Sequence, residues 1–295
     1  DLGSAYFEKA KAEAADMRFK TLSTALENFS KSVNLDAKFP AALFNRSLCM
    51  QELRLNNEAR ESWQQYLALD PSSAWANEAR KNLEKLEQNS VGSKTKEDAV
   101  AEVVAASKTN DEATAWNIAS QTREMITGVW LPDQLTRKFL EAKIRGDDSA
   151  ANDSIGALKF IGELERSRNA DFFVTEIAAH YAQTDKTEQL LAAKDLVTAG
   201  FADINTRKPE NARQSFTAGR DAYAAAGDRW NSLIADLWLA HALSDLSKIK
   251  DSDAILDRLA DTAERNNYKW LSLVTSEWIA HNQGLRGEVG RSTAL

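Results

Sequence analysis

The tryptophans and histidines near the carboxyl end form the most regular pattern of residues with chemical potential. Trp238 and His241 are three positions apart, and Trp278 and His281 repeat that spacing further along the chain. Residues three apart share a helix face, so each imidazole should lie beside its indole. Equivalent positions in successive helical units are too far apart to share one metal ion. We therefore expect a structural role for both histidines, with a pH-responsive contact as the alternative.

The remaining candidates for chemistry are isolated. Ser93-Lys94-Thr95-Lys96 fits a serine–lysine nucleophile pattern, but it lies in a polar segment that would not desolvate the lysine. Cys49, the single cysteine, is expected to be a small packed side chain. Arg145-Gly146-Asp147 has the letters of an adhesion motif and the residue types of an ordinary turn. Zinc-protease, phosphate-loop, nucleophile-elbow and paired-cysteine signatures are missing from the sequence. We predict no catalytic residue, no metal site, no cofactor and no enzymatic activity.

Composition favours helices and argues against several classes of partner. The 295 residues include only 4 Pro and 12 Gly, and 43% are hydrophobic. The formal net charge is −7 without a run of like charge, so we expect no nucleic acid partner. No apolar stretch is long enough to span a membrane, and the first residues lack a signal-peptide pattern. A cytoplasmic location is expected, with a removed signal peptide as the alternative.

Two internal repeats give the helical units that position these residues. A first shift of the sequence on itself superposes four pairs: Ala25 with Ala59, Phe29 with Trp63, Leu35 with Leu69 and Asp36 with Asp70. A second, slightly longer shift superposes Trp230, Ser232, Leu233, Trp238, Ala240 and His241 on Trp270, Ser272, Leu273, Trp278, Ala280 and His281. Units of two helices each are predicted, with residues 209–226 and 252–265 as partner helices of the second repeat. Pro40 should begin a helix, because its missing N–H costs nothing there.

The first repeat resembles the tetratricopeptide repeat (TPR). The resemblance rests on the spaced large and small residues Leu43, Ser47, Met50, Ala59, Trp63, Tyr66 and Pro71. Arg46 departs from it, standing where the motif usually has Leu, and Tyr66 stands where it usually has Ala. The resemblance implies an all-α fold, a right-handed superhelical α-solenoid of helix-turn-helix repeats. We divide the chain into TPR-like repeats at 1–90, degenerate helical hairpins at 91–200 and repeats of about 40 residues at 201–295, the last one truncated.

The first helix of each TPR-like unit should line a concave surface for a protein or peptide. Phe29, Trp63 and Tyr66 are assigned to the core, because repeat arrays gain stability between neighbouring units. The predicted partner-binding residues are Phe7, Phe44, Asn45, Leu48, Gln51, Glu78 and Asn82. Asn45 occupies a position like one in the carboxylate clamp of some TPR proteins, but alanines stand where the other clamp groups would be. Recognition of a chaperone tail is therefore disfavoured.

Residues 25–86 also resemble the repeat region of bacterial CHAT-domain proteins, through segments such as Trp63-Gln64-Gln65-Tyr66 and Asp70-Pro71. That resemblance implies a repeat scaffold for protein–protein interaction, with a caspase-like effector domain beyond Leu295 that would be an intramolecular partner. The catalytic His and Cys of the family have no counterpart here. The alternatives are the ligand- or partner-sensing region of a signalling or transcriptional regulator, and a free-standing adaptor.

Overall fold

The computed structural model describes residues 2–88, 96–122 and 130–286, and those residues form fifteen helices and no strand. The predicted all-α fold class is confirmed. Contacts between Cα atoms divide the chain into two compact units. Unit 1 comprises Asp1–Leu131, Arg168–Ala170 and Gln283–Leu295, and unit 2 comprises Pro132–Ser167 and Asp171–Asn282. The predicted three-part division by repeat type remains a prediction, and residues 89–95 of its first boundary lie outside the described part.

Within the described residues, unit 1 contains seven whole helices, of which the first five pack against one another in succession, as in an α-solenoid, and the last two pack as a pair. They are α1 (Leu2–Lys11), α2 (Ala15–Leu35), α3 (Pro40–Glu52), α4 (Asn56–Leu69), α5 (Ala74–Gln88), α6 (Lys96–Thr109) and α7 (Glu112–Thr122). Pro40 occupies the first turn of α3, as the sequence predicts. The residues that the first shift superposes lie on α2 and α4 and at the carboxyl ends of these two helices.

The matched residues of this repeat have matched environments. Ala25 and Ala59 are fully buried, and Phe29 and Trp63 are buried beside them in sequence, one turn further along each helix. A small residue lets two helices approach, and the large residue four positions later fills the space next to the crossing. The predicted core assignment of Phe29, Trp63 and Tyr66 is confirmed by their burial.

The two departures from the TPR pattern are accommodated by hydrogen bonds. Arg46 on α3 donates to Gln65 on α4, with 3.2 Å between Nη2 and Oε1. The hydroxyl of Tyr66 donates to the Asp70 carboxylate over 2.7 Å. Arg46 thus links α3 to α4, and Tyr66, while its ring stays in the core, links α4 to the turn after it.

Unit 2 begins inside α8 and ends inside α15. Its helices are α8 (Trp130–Ile144), α9 (Asp148–Asn169), α10 (Phe173–Tyr181), α11 (Thr187–Asn205), α12 (Pro209–Ala226), α13 (Arg229–Asp245), α14 (Ile249–Asn266) and α15 (Lys269–Leu285). Helix α12 has the predicted bounds, and α14 extends slightly beyond the predicted 252–265. The residues after Arg286, where the truncated repeat was expected to continue, lie outside the described part.

A turn with left-handed backbone recurs at regular intervals in unit 2. Its positive φ angles fall at Arg207, Gly227, Ser247 and Asn267. After each, the next residue donates its N–H to the carbonyl five positions back, as Lys208 does to Asp203 over 2.8 Å and Tyr268 does to Ala263 over 2.9 Å. This is the Schellman arrangement, which satisfies the last carbonyls of a helix. Each unit of the second repeat is therefore two helix-plus-turn segments of equal length.

Two local predictions in the middle of the chain have different outcomes. The expected loop at Arg145-Gly146-Asp147 separates α8 from α9, with Gly146 at φ 72°. The polar sequence Ser167-Arg168-Asn169 also predicts a loop, and that prediction is wrong, because α9 runs to Asn169. The chain turns instead at Ala170 and Asp171, where the Asp171 carboxylate accepts hydrogen bonds from the N–H of Phe173 and of Trp270. The buried carboxylate thus satisfies backbone N–H groups in the first turns of α10 and α15.

Removing the Trp63 side chain should destabilise unit 1. Trp63 is fully buried, and its ring contacts Phe44 at a centroid distance of 5.0 Å. We expect Trp63→Ala to lower the free energy of unfolding by about 3 to 5 kcal/mol in urea titration, as other large-to-small core changes do. Trp75→Ala is the matched control, because the Trp75 side chain is 63% exposed and its loss should cost much less. Equal losses would contradict the repeat register.

Two glycines on α9 should respond in opposite directions to alanine. A Cβ at Gly162 would lie 2.9 Å from the Thr175 backbone on α10, whereas a Cβ at Gly156 would meet nothing within 4 Å. We expect Gly162→Ala to destabilise by about 1 to 3 kcal/mol through overpacking. Gly156→Ala should stabilise by about 0.5 to 1 kcal/mol, because glycine is costly inside a helix. Thermal unfolding of both variants checks the sign, and stabilisation by both would contradict the close approach of α9 to α10.

Candidate functional site

Helix α3 presents a mixed stripe on one side and core residues on the other. Ala41, Asn45, Leu48 and Glu52 follow one another at helical spacing and are exposed or half-exposed. Leu43, Phe44, Ser47 and Met50 on the other side are buried. The exposed set, which we call the α3 stripe, combines an apolar side chain with an amide and a carboxylate. Such a surface offers both apolar contact and hydrogen bonds to a bound chain.

Five of the seven predicted binding residues have side chains at or near the surface. Asn45 and Leu48 belong to the α3 stripe, and Gln51 is half-buried on the same helix. Glu78 is exposed on α5. Phe7 on α1 is half-exposed, with the Lys11 ammonium 5.1 Å from its ring centre. The structure places them on three first helices, as predicted, and their role in binding stays a prediction.

Phe44 and Asn82 are corrections to that prediction, because both side chains are buried. Phe44 packs edge-on against three rings, those of Trp63, Tyr66 and Trp75, at centroid distances of 5.0, 5.3 and 5.1 Å. An aromatic ring gains more from such contacts than from facing water. Asn82 is 4% exposed on α5. Neither side chain is available to a partner.

Gln51 has a structural contact that the sequence pattern does not indicate. Its Oε1 accepts a hydrogen bond from Trp63 Nε1 over 3.4 Å, which gives the buried indole a partner. Replacing Gln51 would therefore disturb the core as well as the surface. Asn45 and Leu48 are better probes of binding.

A pocket of about 430 Å³ lies in unit 1 and shares Glu52 with the α3 stripe. Its size is within the range of small-ligand sites. Phe19, Leu22 and Trp116 supply its apolar surface. The rest of the lining is polar: Glu13, Arg18, Glu52, Arg54, Arg168 and Asn169.

Most of the charges around this pocket are already compensated. Arg18 pairs with Glu52, and Arg168 lies 3.4 Å from the Glu112 carboxylate while its guanidinium sits 5.1 Å from the Trp116 ring centre. Glu13 and Arg54 differ from these. Glu13 Oε1 lies 3.5 Å from the Lys9 ammonium, but its Oε2 is buried and accepts no hydrogen bond from the described residues.

Sequence reasoning did not find this pocket, because its residues come from separate helices and turns that no repeat relates. Arg54 follows α3 with φ 62°, Glu13 lies between α1 and α2, and Trp116 belongs to α7. No residue pattern in the sequence indicates the pocket. Arg54 adopts a positive φ that most side chains avoid, but that conformation is visible only in the backbone of the structure.

The histidine and tryptophan repeat forms an aromatic row in unit 2. His241 lies between Trp238, at a centroid distance of 5.5 Å, and Trp278, at 4.3 Å, and His281 follows Trp278 at 5.2 Å. Each histidine is beside its tryptophan, as predicted. Burial lowers the pKa of His241, and the charge of His281 acts in the same direction while Asp245 opposes both. A neutral His241 packed between two indoles fits a structural role.

Glu176 is the other group in unit 2 with a marked electrostatic environment. Its Oε2 accepts hydrogen bonds from Arg229 over 2.7 Å, from Trp230 over 2.9 Å and from the Tyr268 hydroxyl. Burial acts to raise the pKa of Glu176, but these hydrogen bonds outweigh it and lower the pKa. Burial and the hydrogen bond to Glu176 raise the pKa of Tyr268 to about 12. Because the donors satisfy this carboxylate, we assign the cluster to the joining of α10, α13 and the turn before α15.

The described residues contain no candidate metal cluster and no candidate membrane-spanning helix. No group of three or more His, Cys, Asp or Glu side chains there is arranged to hold a metal ion. None of the described helices combines the length and apolarity that crossing a membrane requires. Cys49 is fully buried, and its Sγ lies 3.1 Å from the Leu22 carbonyl oxygen, in agreement with the packed role predicted for it.

Comparison with known proteins does not assign this chain to a family. No protein-family model matches the chain, and no curated protein matches it. Among solved structures, the TPR domain of P58(IPK) is similar over 99% of this chain and 84% of that one, with 14% sequence identity and a TM-score of 0.30. A likeness of that size carries no argument about function. The helical hairpins and the surfaces described above must support any assignment themselves.

Proposed function

We propose that this chain is a protein-binding scaffold whose partner docks as a peptide segment along the α3 stripe. The proposal rests on one observation: α3 buries one face, which includes Phe44, in the core, while Asn45 and Leu48 on its other face are half-exposed. Helical repeats use the first helix of each unit in this way, since the second helix is occupied by packing between units. An extended peptide needs amide groups for its backbone and an apolar contact for its side chains.

The wider setting is a further part of the proposal. The resemblance of residues 25–86 to CHAT-domain repeat regions supports a scaffold that regulates a caspase-like effector domain in the same bacterial polypeptide. In that setting the bound segment belongs to the effector domain. The alternatives are a sensing region of a signalling or transcriptional regulator, and a free-standing adaptor.

The reading frame beyond Leu295 distinguishes these settings. We expect sequencing of the gene to reveal a caspase-like domain with its His and Cys downstream. A DNA-binding or cyclase domain would instead support the sensing region. A stop codon near residue 295 would contradict the effector setting and leave an adaptor, without bearing on the α3 stripe.

The α3 stripe is tested by selecting peptides from a displayed random library on the immobilised chain and measuring their affinity for variants. We expect Leu48→Arg to weaken the selected peptides at least tenfold, which is about 1.4 kcal/mol, because it places a charge at the centre of the contact. Asn45→Ala should weaken them less, through the loss of an amide. Circular dichroism melts should stay close to those of the unaltered chain.

Gln64→Arg is the matched control, because Gln64 is exposed on α4 and stands outside the stripe. Its affinity for the selected peptides should be unchanged. If Leu48→Arg and Gln64→Arg bind the peptides equally well, docking on the α3 stripe is wrong.

A further inference from the structure

The pocket in unit 1 contains two charged groups that other residues satisfy only in part or not at all: the Glu13 carboxylate, whose Oε1 lies 3.5 Å from the Lys9 ammonium, and the Arg54 guanidinium. Glu13 is 17% exposed, and its Oε2 accepts no hydrogen bond from the described residues. A buried carboxylate oxygen without a donor is costly, because it has lost its water and gained nothing. The Arg54 guanidinium is exposed and makes no hydrogen bond or ion pair in the described part of the chain.

The other charges of the pocket limit what kind of ligand fits. Arg18 is neutralised by Glu52, and Arg168 is paired with Glu112. A purely anionic ligand would pair with Arg54 but leave Glu13 Oε2 without a donor. A purely cationic ligand would serve Glu13 but add charge to a lining that already holds three arginines and two glutamates. A ligand that carries both charges satisfies both groups.

The apolar walls supply the third requirement. Phe19 and Leu22 come from α2, and Trp116 comes from α7. Aliphatic and aromatic side chains of a ligand would be removed from water against them. The volume of about 430 Å³ admits an amino acid or a short peptide.

We propose that this pocket binds a small zwitterion, an amino acid or short peptide with free termini, whose ammonium group donates to Glu13 and whose carboxylate pairs with Arg54. The side chains of the ligand lie against Phe19, Leu22 and Trp116. Charge-assisted hydrogen bonds at both ends provide orientation, and the apolar walls provide contact. This ligand site adjoins the α3 stripe at Glu52, but its proposed ligand and the residues that hold that ligand differ from those of the peptide docked on the stripe.

The test is isothermal titration of the whole chain with leucine, leucyl-leucine and two blocked forms, acetyl-leucyl-leucine and leucyl-leucine amide. We expect leucine or leucyl-leucine to bind, and the better of the two shows whether the site takes an amino acid or a peptide. Blocking either terminus should weaken binding of leucyl-leucine by roughly ten- to a hundredfold, the loss expected for one charged hydrogen bond. If leucine alone binds, acetyl-leucine and leucine amide take the place of the blocked peptides.

Variants assign each terminus to its residue. In Glu13→Gln, acetylating the amine of the ligand should lower its affinity less than threefold, while blocking the carboxylate should lower the affinity as much as it does for the unaltered chain. Arg54→Gln should show the reverse. Such cycles isolate one contact at a time. Glu8→Gln is the carboxylate control, since Glu8 is exposed on α1 and pairs with Lys11. Arg207→Gln is the arginine control, since Arg207 is exposed and also follows a helix with positive φ, at 58°.

Equal binding of the free and blocked forms would overturn the proposal, as would the absence of heat from both leucine and leucyl-leucine at millimolar concentration. If Glu13→Gln fails to fold, titration of the unaltered chain with the blocked forms still shows whether the pocket requires free termini. Leu48→Arg should leave the affinity for the zwitterion unchanged. Failure of this site and failure of the α3 stripe are therefore separate results.

Discussion

Close approach between neighbouring helices is the constraint on which both units depend. In unit 1 the small residues Ala25 and Ala59 are fully buried, and Phe29 and Trp63 are buried one turn further along each helix. In unit 2 Gly162 lets α9 and α10 approach closely, since a Cβ there would lie 2.9 Å from the Thr175 backbone. The Thr175 hydroxyl donates a hydrogen bond to the Gly162 carbonyl over 2.8 Å. A small residue at the crossing lowers the distance between helix axes, and a large residue beside it recovers the buried area. Helices spaced in this way form, within each of the two units, a core that a single helical hairpin lacks.

Much of the fold was predictable because this constraint repeats. The bounds of α12, the start of α3 at Pro40 and the core positions all follow from spacing, composition and the two repeat lengths. The left-handed turns explain why the second repeat is regular, since evenly spaced turns set the length of each helix. Arg207 and Ser247 occupy these turns without being glycine, so the residue types alone do not reveal them. The first turn of α10 is capped by the buried Asp171 carboxylate, which also accepts from the N–H of Trp270, a contact that no local pattern encodes.

The candidate site was predictable only in part, for a physical reason. A repeat indicates which helix faces outward, and Asn45 and Leu48 do have accessible side chains. It does not indicate how far one aromatic side chain leans toward its neighbours. Phe44 is adjacent to Asn45 in sequence, yet it turns into the rings of Trp63 and Tyr66. Burial of a side chain at the edge of a helix face is decided by its tertiary contacts rather than by its register.

Recognition in such a protein has to depend on residues that the repeats do not share. The matched positions are used for packing, which makes them poor at distinguishing one partner from another. The α3 stripe and the pocket beside it use Asn45, Glu13 and Arg54, and the shift that superposes Ala25 on Ala59 places Ala79 where α3 has Asn45. Glu13 and Arg54 also lie at helix ends, where the chain changes direction and side chains from separate turns meet. The repeated residues therefore form the packed core, and the proposed binding sites are formed by residues that differ between repeats, several of them at helix ends.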